Sequence, residues 1–368
     1  ILVSASATEV ILNSTNPAKN STNENLTAYY SVAGSKSIFN WQRNGTSLTI
    51  LNMPFEGNNG TSSNNARDYS GYGNNGAENG GISWNSTGGH DGRGAYVFDG
   101  NNDYISIPNA DNQNITNAIT ISLWFKSSGL VGQDGGLVSK SIDGMKYFGM
   151  NYHKMWELGI LNNILYWDIS DGTSLARANG NINTYLDGTW RHLVATWDGT
   201  TGTNGVKVYM DGNVILQGTS PFTKAQSFNS VLDIGGYTTL WNFKGTIDEV
   251  MIFNRSLSKE QISALYNQRM DLIVSQETER RDVWKVTVTP NDGKEDGDPL
   301  LSNELVVLNT PPTQSAPLLT STNPALNNTN QNLTAYHQST FDADSDLVKN
   351  IFNWQRNGTS LTILNMPF

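Results

Sequence analysis

Eighteen residues occur twice in this chain. Ile38 to Phe55 reads IFNWQRNGTSLTILNMPF, and Ile351 to Phe368 repeats it without a change. A second pair lies upstream of each copy: Ser14 to Tyr29 and Ser321 to Tyr336 agree at 13 of 16 positions. The offset grows from 307 residues in the first pair to 313 in the second. His337 to Asn350 thus replaces the shorter Tyr30 to Ser37. Identity at this level means internal repetition, and repeats decide architecture before any local propensity does. The chain reads as one complete unit of about 310 residues followed by the opening of the next. Two explanations stand: a single decayed duplication, or a window on a longer tandem array or polymer.

The unit is rich in strands. Short β-branched and aromatic runs recur at Ala95-Tyr-Val-Phe, Tyr104-Ile-Ser-Ile, Ile119 to Phe125, His192 to Trp197, Val206 to Met210, Val214-Ile-Leu and Asp248 to Phe253. Turn residues separate them. Asp211-Gly212 between two such runs is a tight-hairpin signal. One helix is expected, from Ser258 to about Gln268, with Ser258 as N-cap and Ile262, Leu265 and Tyr266 as its apolar stripe. The class is all-β, because many short strands with regular turns make sandwiches or jelly rolls. Asn, Gly and Ser dominate where helix formers are scarce: 46 Asn and 35 Gly in 368 residues.

Near the end of the unit, Val283 to Pro290 alternates cleanly and Glu304 to Leu308 returns. These look like the last hairpin of a small sandwich whose first strands are Asn25 to Tyr29 and Ile38 to Trp41. The expected organisation is nested. Residues 1–47 and 269–310 form the two halves of an Ig-like domain, residues 48–268 a large jelly roll inserted into it, and residues 311–368 the start of the next Ig-like repeat. Asn309-Thr-Pro-Pro-Thr reads as a stiff extended linker.

Two resemblances rest on these residues. Met53-Pro-Phe-Glu, Asp68 to Gly76, Gly94 to Ile105, Trp190 to Gly199 and Gly245 to Ser258 resemble, in order, the concanavalin A-like, laminin-G-like jelly roll. The flanks, through Phe341 to Asp346, Asn353 to Gly358 and Trp284 to Gly293, resemble Ig-like repeats of large archaeal and bacterial surface proteins. The combination implies an adhesive or structural role at the cell surface. Laminin-G-like domains often carry one calcium, and the resemblance nominates Asp68, Asn74 and Asp248. The alternative is that the first two build a turn and the third caps a strand.

Two other acidic loops come from the residues themselves. Asp342, Asp344 and Asp346 alternate on one loop, and carboxylates held that close need a cation or ample water. The first unit has Val32 to Ser37 there instead. Asp292, Glu295, Asp296 and Asp298 form the other loop. Both also read as solvated turns. Sugar binding would use aromatic platforms, and Tyr152, Trp156, Tyr166, Trp167 and Trp241 are the candidates, unless they fill the core.

Catalysis finds little support. Glucanases of this fold pair two close carboxylates. Here Asp248 and Glu249 are adjacent and are expected on opposite faces of a strand. The four His are scattered and no phosphate loop appears. Cysteine is absent, which removes disulfides, thiolate metal sites and thiol nucleophiles. A formal charge of −10 argues against nucleic acid as a partner. No apolar run approaches the length of a membrane span.

Eleven glycosylation sequons occur, at Asn13, Asn20, Asn25, Asn44, Asn59, Asn85, Asn114, Asn254, Asn327, Asn332 and Asn357. Composition alone predicts about 8.5. Their bunching in the flanks is the informative feature. The expectation is a non-enzymatic extracellular building block, assembled with copies of itself or neighbouring repeats and calcium-stiffened. The alternative is a carbohydrate-binding module that recognises surface glycans.

Overall fold

A computed structural model describes residues 9–31, 36–57, 66–129, 134–141, 154–227, 229–236 and 241–367. Its centre is an antiparallel ladder of 15 strands, counted among the described residues. The ladder runs from Ala77–Asn79 through Tyr104–Ile107, Leu232–Ile234 and Asp134–Ser141 to the hairpins between Lys154 and Asn181. It continues through Asn213–Ser220, Gly202–Met210, Arg191–Trp197, Ile119–Lys126, Lys244–Phe253 and Ala95–Asp99 to Ser83–Asn85, and Thr49–Met53 pairs with Lys244–Phe253 off this path. Consecutive hairpins alternate in the ladder with long-range pairings, such as Ile119–Lys126 with Lys244–Phe253 and Asp134–Ser141 with Leu232–Ile234, as in a jelly roll. Apolar faces from both ends of this ladder close on one core, filled by Trp156, Trp167, Trp197, Phe98, Phe125 and Phe243.

Local chemistry explains the hairpins. Asp211 and Gly212 both take positive φ (51° and 76°), so the turn twist matches that of the strands Gly202–Met210 and Asn213–Ser220. The helix Lys259–Tyr266 is capped by Ser258, which accepts from Gln261 N at 3.2 Å.

The two flanks of the unit pair with each other. Lys36–Arg43 runs antiparallel to Val283–Asn291 over eight positions, from Arg43 opposite Trp284 to Lys36 opposite Asn291. Leu300–Leu301 and Leu305–Val306 extend that sheet. Facing it, Val10–Ser14, Leu26–Tyr30 and Leu272–Ile273 make a three-stranded sheet. A second apolar core lies between them. It holds Trp41, Trp284, Val286 and Val288, and it also takes Val194, Tyr209, Met251 and Phe253 from the outer face of the jelly roll. Ile262 and Leu265 of the helix seal the seam. The two sandwiches therefore share a core along their boundary.

The second repeat is built differently from the first. Thr313–Ser321 pairs with Leu333–Phe341, and Gln355–Arg356 with Thr359–Ser360, and each is a two-stranded ladder by itself. Residues 351–354, identical to a strand in the first copy, form no strand here.

Candidate functional site

Lys36 opens its strand with the side chain directed at the jelly roll. Its ammonium meets Glu56 Oε1 at 2.7 Å, Asp91 Oδ2 at 2.9 Å and Glu249 Oε1. Glu56 follows the strand Thr49–Met53, Asp91 sits in the loop before Ala95–Asp99, and Glu249 lies in Lys244–Phe253. The pairing of that strand with Ile119–Lys126 slips by one residue between Ser122 and Trp124, and Glu249 adopts φ 53°. The bulge breaks the strand alternation, so the expected opposite-face placement of Asp248 and Glu249 fails. Both act on Lys36.

Asp248 is fully buried and accepts the backbone N–H of His90 and of Glu249, each at 2.9 Å. Burial lifts its carboxyl well above the usual range, and the Glu249 charge adds to that. Burial also pushes Glu249 up to about 7 and raises Glu56, against the pull of Lys36 in both cases. Burial lowers the Lys36 ammonium, yet the surrounding carboxylates override it and raise it. Oxygens of Glu56, Asp91 and Glu249 lie within 4.8 Å of one another, a spacing a cation could bridge. Lys36 supplies that cation from the neighbouring sandwich. The cluster is thus a charged lock between the two sandwiches.

A second cluster sits where the repeats meet. In the loop after Leu333–Phe341, Asp342 is buried and its Oδ1 accepts the backbone N–H of Asp344 (2.9 Å) and Asp346 (3.1 Å). Asp344 reaches across to Thr22, and its Oδ2 accepts Thr310 N at 2.7 Å. Arg280 donates to Asp346 Oδ2 at 2.6 Å and to Asn309 Oδ1 at 2.9 Å. Oxygens of the three aspartates lie within 4.8 Å of one another, a donor set suited to a hard cation. The triplet expected as a metal loop is in any case the bolt that holds the second repeat to the first.

The other expected sites separate. Asp68 Oδ1 accepts from Asn52 N and Ser70 N, and Oδ2 from Asn74 N and Ser70 Oγ, at 2.6 to 2.9 Å. Asn74 donates to Ile50 O and accepts from Gln113. Their bonds organise one loop, while Asp248 belongs to the Lys36 network. These three residues do not fit a shared calcium, because both Asp68 oxygens are already saturated by N–H and O–H donors. Asp296 accepts from Tyr69 and Asn291 and pairs with Arg67, while Asp292 caps the backbone of Lys294 and Glu295. Those bonds make that loop a hydrogen-bonded turn rather than a gathered donor set.

Trp156 and Trp167 are fully buried, and Trp167 donates to Thr196 O. Neither offers a face to a sugar, because the strands Lys154–Leu161 and Ile164–Ser170 lie deep in the jelly roll. Trp241 is half-buried at φ 62°, and its carbonyl accepts from Gly136 N. Tyr166 carries the Arg177 guanidinium over its ring. Tyr152 and Asn59 lie outside the described residues. Of the other sequons, Asn44, Asn85, Asn254, Asn327, Asn332 and Asn357 are exposed, and Asn13, Asn20, Asn25 and Asn114 are half-buried.

The outer face of the jelly roll carries a groove the sequence reading missed. Val97, Thr246 and Lys126 stand opposite one another on three adjacent strands. The Lys126 ammonium lies 5.0 Å from the Trp190 ring centroid. With Lys244, Ser127 and Ser128 they line an open groove of about 710 Å³.

A family profile agrees with the fold. The profile of the concanavalin A-like lectin/glucanases superfamily matches residues 99–263. Among solved structures, the receptor-binding domain of botulinum neurotoxin C/D mosaic serotype aligns with a TM-score of 0.45 and 18% identity, over 60% of this chain and 51% of that one. The binding domain of Paraclostridial Mosquitocidal Protein 1 aligns with 0.46 and 18%, over 60% and 52%. Botulinum neurotoxin serotype D ligand-binding domain, solved with N-acetylneuraminic acid, aligns with 0.46 and 18%, over 60% and 51%. The chain spans about half the length of these structures. No curated protein matches it.

Proposed function

We propose that this chain is a non-catalytic, extracellular structural or adhesive repeat protein, in which each Ig-like unit carries a jelly roll as a side domain. The observation that carries this reading is the repeat itself, with its second copy bolted to the first through Asp344 and Asp346. A hard cation such as calcium at the aspartate triplet would stiffen that junction. Electron microscopy of the native assembly tests the reading. Fibres, stalks or coats with a regular axial period are the expected result, and isolated single-unit particles overturn it. The junction has its own test. Asp344→Asn removes charge from the triplet and weakens the bonds to Thr22 and Thr310. Small-angle scattering is expected to show a broadened distance distribution for this variant and none for the parent chain.

A second reading, a carbohydrate-binding module, is favoured by the groove beside Trp190. An indole face next to an ammonium suits a sugar ring that carries an acidic or hydroxyl group. Trp190→Ala is expected to weaken binding on an array of acidic and neutral polysaccharides by tenfold or more. An unchanged array profile rejects this groove. Loss of binding in Trp167→Ala would report only damage to the core.

A further inference from the structure

The charged lock between the two sandwiches also has the geometry of a condensation site. Lys36 Nζ touches Glu249 Oε1 and lies 2.7 Å from Glu56 Oε1, so one amine meets two carboxyls of the neighbouring sandwich. Asp91 Oδ2, at 2.9 Å, holds the same nitrogen from a third side. The backbone aims Glu249 at this point. It sits where the register of Lys244–Phe253 against Ile119–Lys126 slips, at φ 53°, a left-handed conformation unusual for a residue with a side chain. Bulges of this kind re-aim a side chain. The Glu56 side chain is wholly inaccessible, and its other oxygen accepts Gly94 N at 3.4 Å. Phe39, His90 and Trp124 wall an open pocket of about 320 Å³ whose lining includes Lys36, Asp91 and Glu249. A small leaving molecule has a way out through it.

We propose that Lys36 and Glu249 condense into an isopeptide bond, a covalent cross-link between the two sandwiches, with Glu56 carrying the proton. Glu56 takes a proton from the Lys36 ammonium, and the freed Nζ lone pair attacks Glu249 Cδ. The Nζ–Cδ bond forms and the bond from Cδ to one Glu249 oxygen breaks. That oxygen leaves as water, with two protons that began on Nζ. Glu56 delivers the proton it took and ends as it began. The step needs no oxidant, reductant or further reactant. Two physical effects favour it. Fixed contact gives the two groups an effective concentration of about 10⁵–10⁸ M, which offsets the competing water. Burial disfavours both charges, and condensation removes the two together. Burial also raises the carboxyls of Glu249 and Glu56, so each holds a proton more readily than an exposed glutamate does. The ion pairs, and the stability and pH effects that come from them, belong to the chain before it condenses. This cross-link lies within one unit and does not depend on the array reading.

The test is mass spectrometry of the unglycosylated full chain, on purification and over days at pH 7, intact and after trypsin. A deficit of about 18 Da, one water, is the expected result. The digest is expected to hold a branched peptide that joins residues 20–43, with Lys36 uncleaved, to residues 245–255. Lys36→Arg keeps the cation but cannot make this amide, and it is expected to retain its full mass. Glu56→Gln keeps an acceptor but cannot carry the proton, and it is expected to lose water about tenfold more slowly, or slower still. Circular dichroism matching the parent shows that both variants fold. The proposal is overturned if the parent keeps its full mass, or if Lys36→Arg shows the same deficit. A branch onto residues 44–67 or 68–93 would reject Glu249 as the partner, since those peptides hold Glu56 and Asp91. A parent-like rate in Glu56→Gln would reject Glu56 as the proton carrier.

Discussion

Replacing Lys36 with methionine is expected to destabilise the chain by about 3 kcal/mol at pH 8, because it strands buried carboxylates without their cation. Glu56 and Glu249 are nearly inaccessible, and Asp248 lies wholly inside. The pH dependence identifies the mechanism. Glu249 sits at about 7 in the folded chain, above its ordinary 4.5, and Glu56 and Asp248 are raised too. A raised carboxyl holds more protons folded than unfolded. Its stabilising contribution is complete below about pH 4.5 and is lost as pH climbs through 7. The parent chain is therefore expected to lose stability from this cluster between pH 5 and 8. Without Lys36 the carboxyls rise further, so the penalty of the substitution shrinks toward pH 5. Thermal denaturation at both pH values measures this, and an equal deficit at the two would refute it. Glu249→Gln, which keeps an acceptor for Lys36 and drops a charge, is expected to raise the melting temperature at pH 8.

The second large effect concerns Trp284. It is fully buried, edge-on to Trp41 at 6.3 Å between centroids and 77° between planes. Truncation to alanine is expected to cost about 3–5 kcal/mol, since a cavity that size cannot collapse between two paired sheets. The damage should be local. Hydrogen exchange is expected to quicken at 10–14, 26–30 and 36–43, while Ile119–Lys126 keeps its protection, because the jelly roll has a core of its own. Loss of protection in Ile119–Lys126 to the same degree would mean that the sandwiches unfold as one. Trp354→Ala supplies the control within the same chain. Its identical neighbours leave it half-open, and its loss is expected to cost under about 0.5 kcal/mol.

What the sequence discloses follows from how far each interaction reaches. The Asp211-Gly212 turn, the Ser258 cap and the alternation of Val283–Asn291 depend on near neighbours, and all three are readable. Lys36 is not, because its partners lie 20, 55 and 213 residues away, at Glu56, Asp91 and Glu249. Its one visible trace is the matching Lys349 before the second copy. Asp248 and Glu249 mislead because alternation assumes a regular strand, and the extra residue of a bulge has no signature in these side chains. Trp156 and Trp167 mislead for another reason: an aromatic residue on a strand looks the same whether its face meets water or core. The repeated segment sets the limit of any local reading. The same four residues, Ile-Phe-Asn-Trp, are strand at 38–41, where Val283–Asn291 pairs with them, and not at 351–354.

The pairing of the two flanks also has a mechanical meaning. Tension entering through one flank and leaving through the other is borne by the bonds between Lys36–Arg43 and Val283–Asn291. The jelly roll hangs between their far ends, off the line of force. Within that ladder the pair nearest the pull is Lys36 with Asn291, behind the outer bonds of Asn20 to Leu308 and of Leu12 to Asn303. There the ammonium is gripped by three carboxylates, and Asn291 donates to Gly57 O and Asp296. The charged lock thus sits at the end of the ladder that would open first once those outer bonds had parted. Should it give way, the inserted residues 48–268 could pay out roughly 750 Å of chain at full extension. In a fibre of the kind proposed above, that length would be a reserve held back by the paired flanks and the charged lock at their edge.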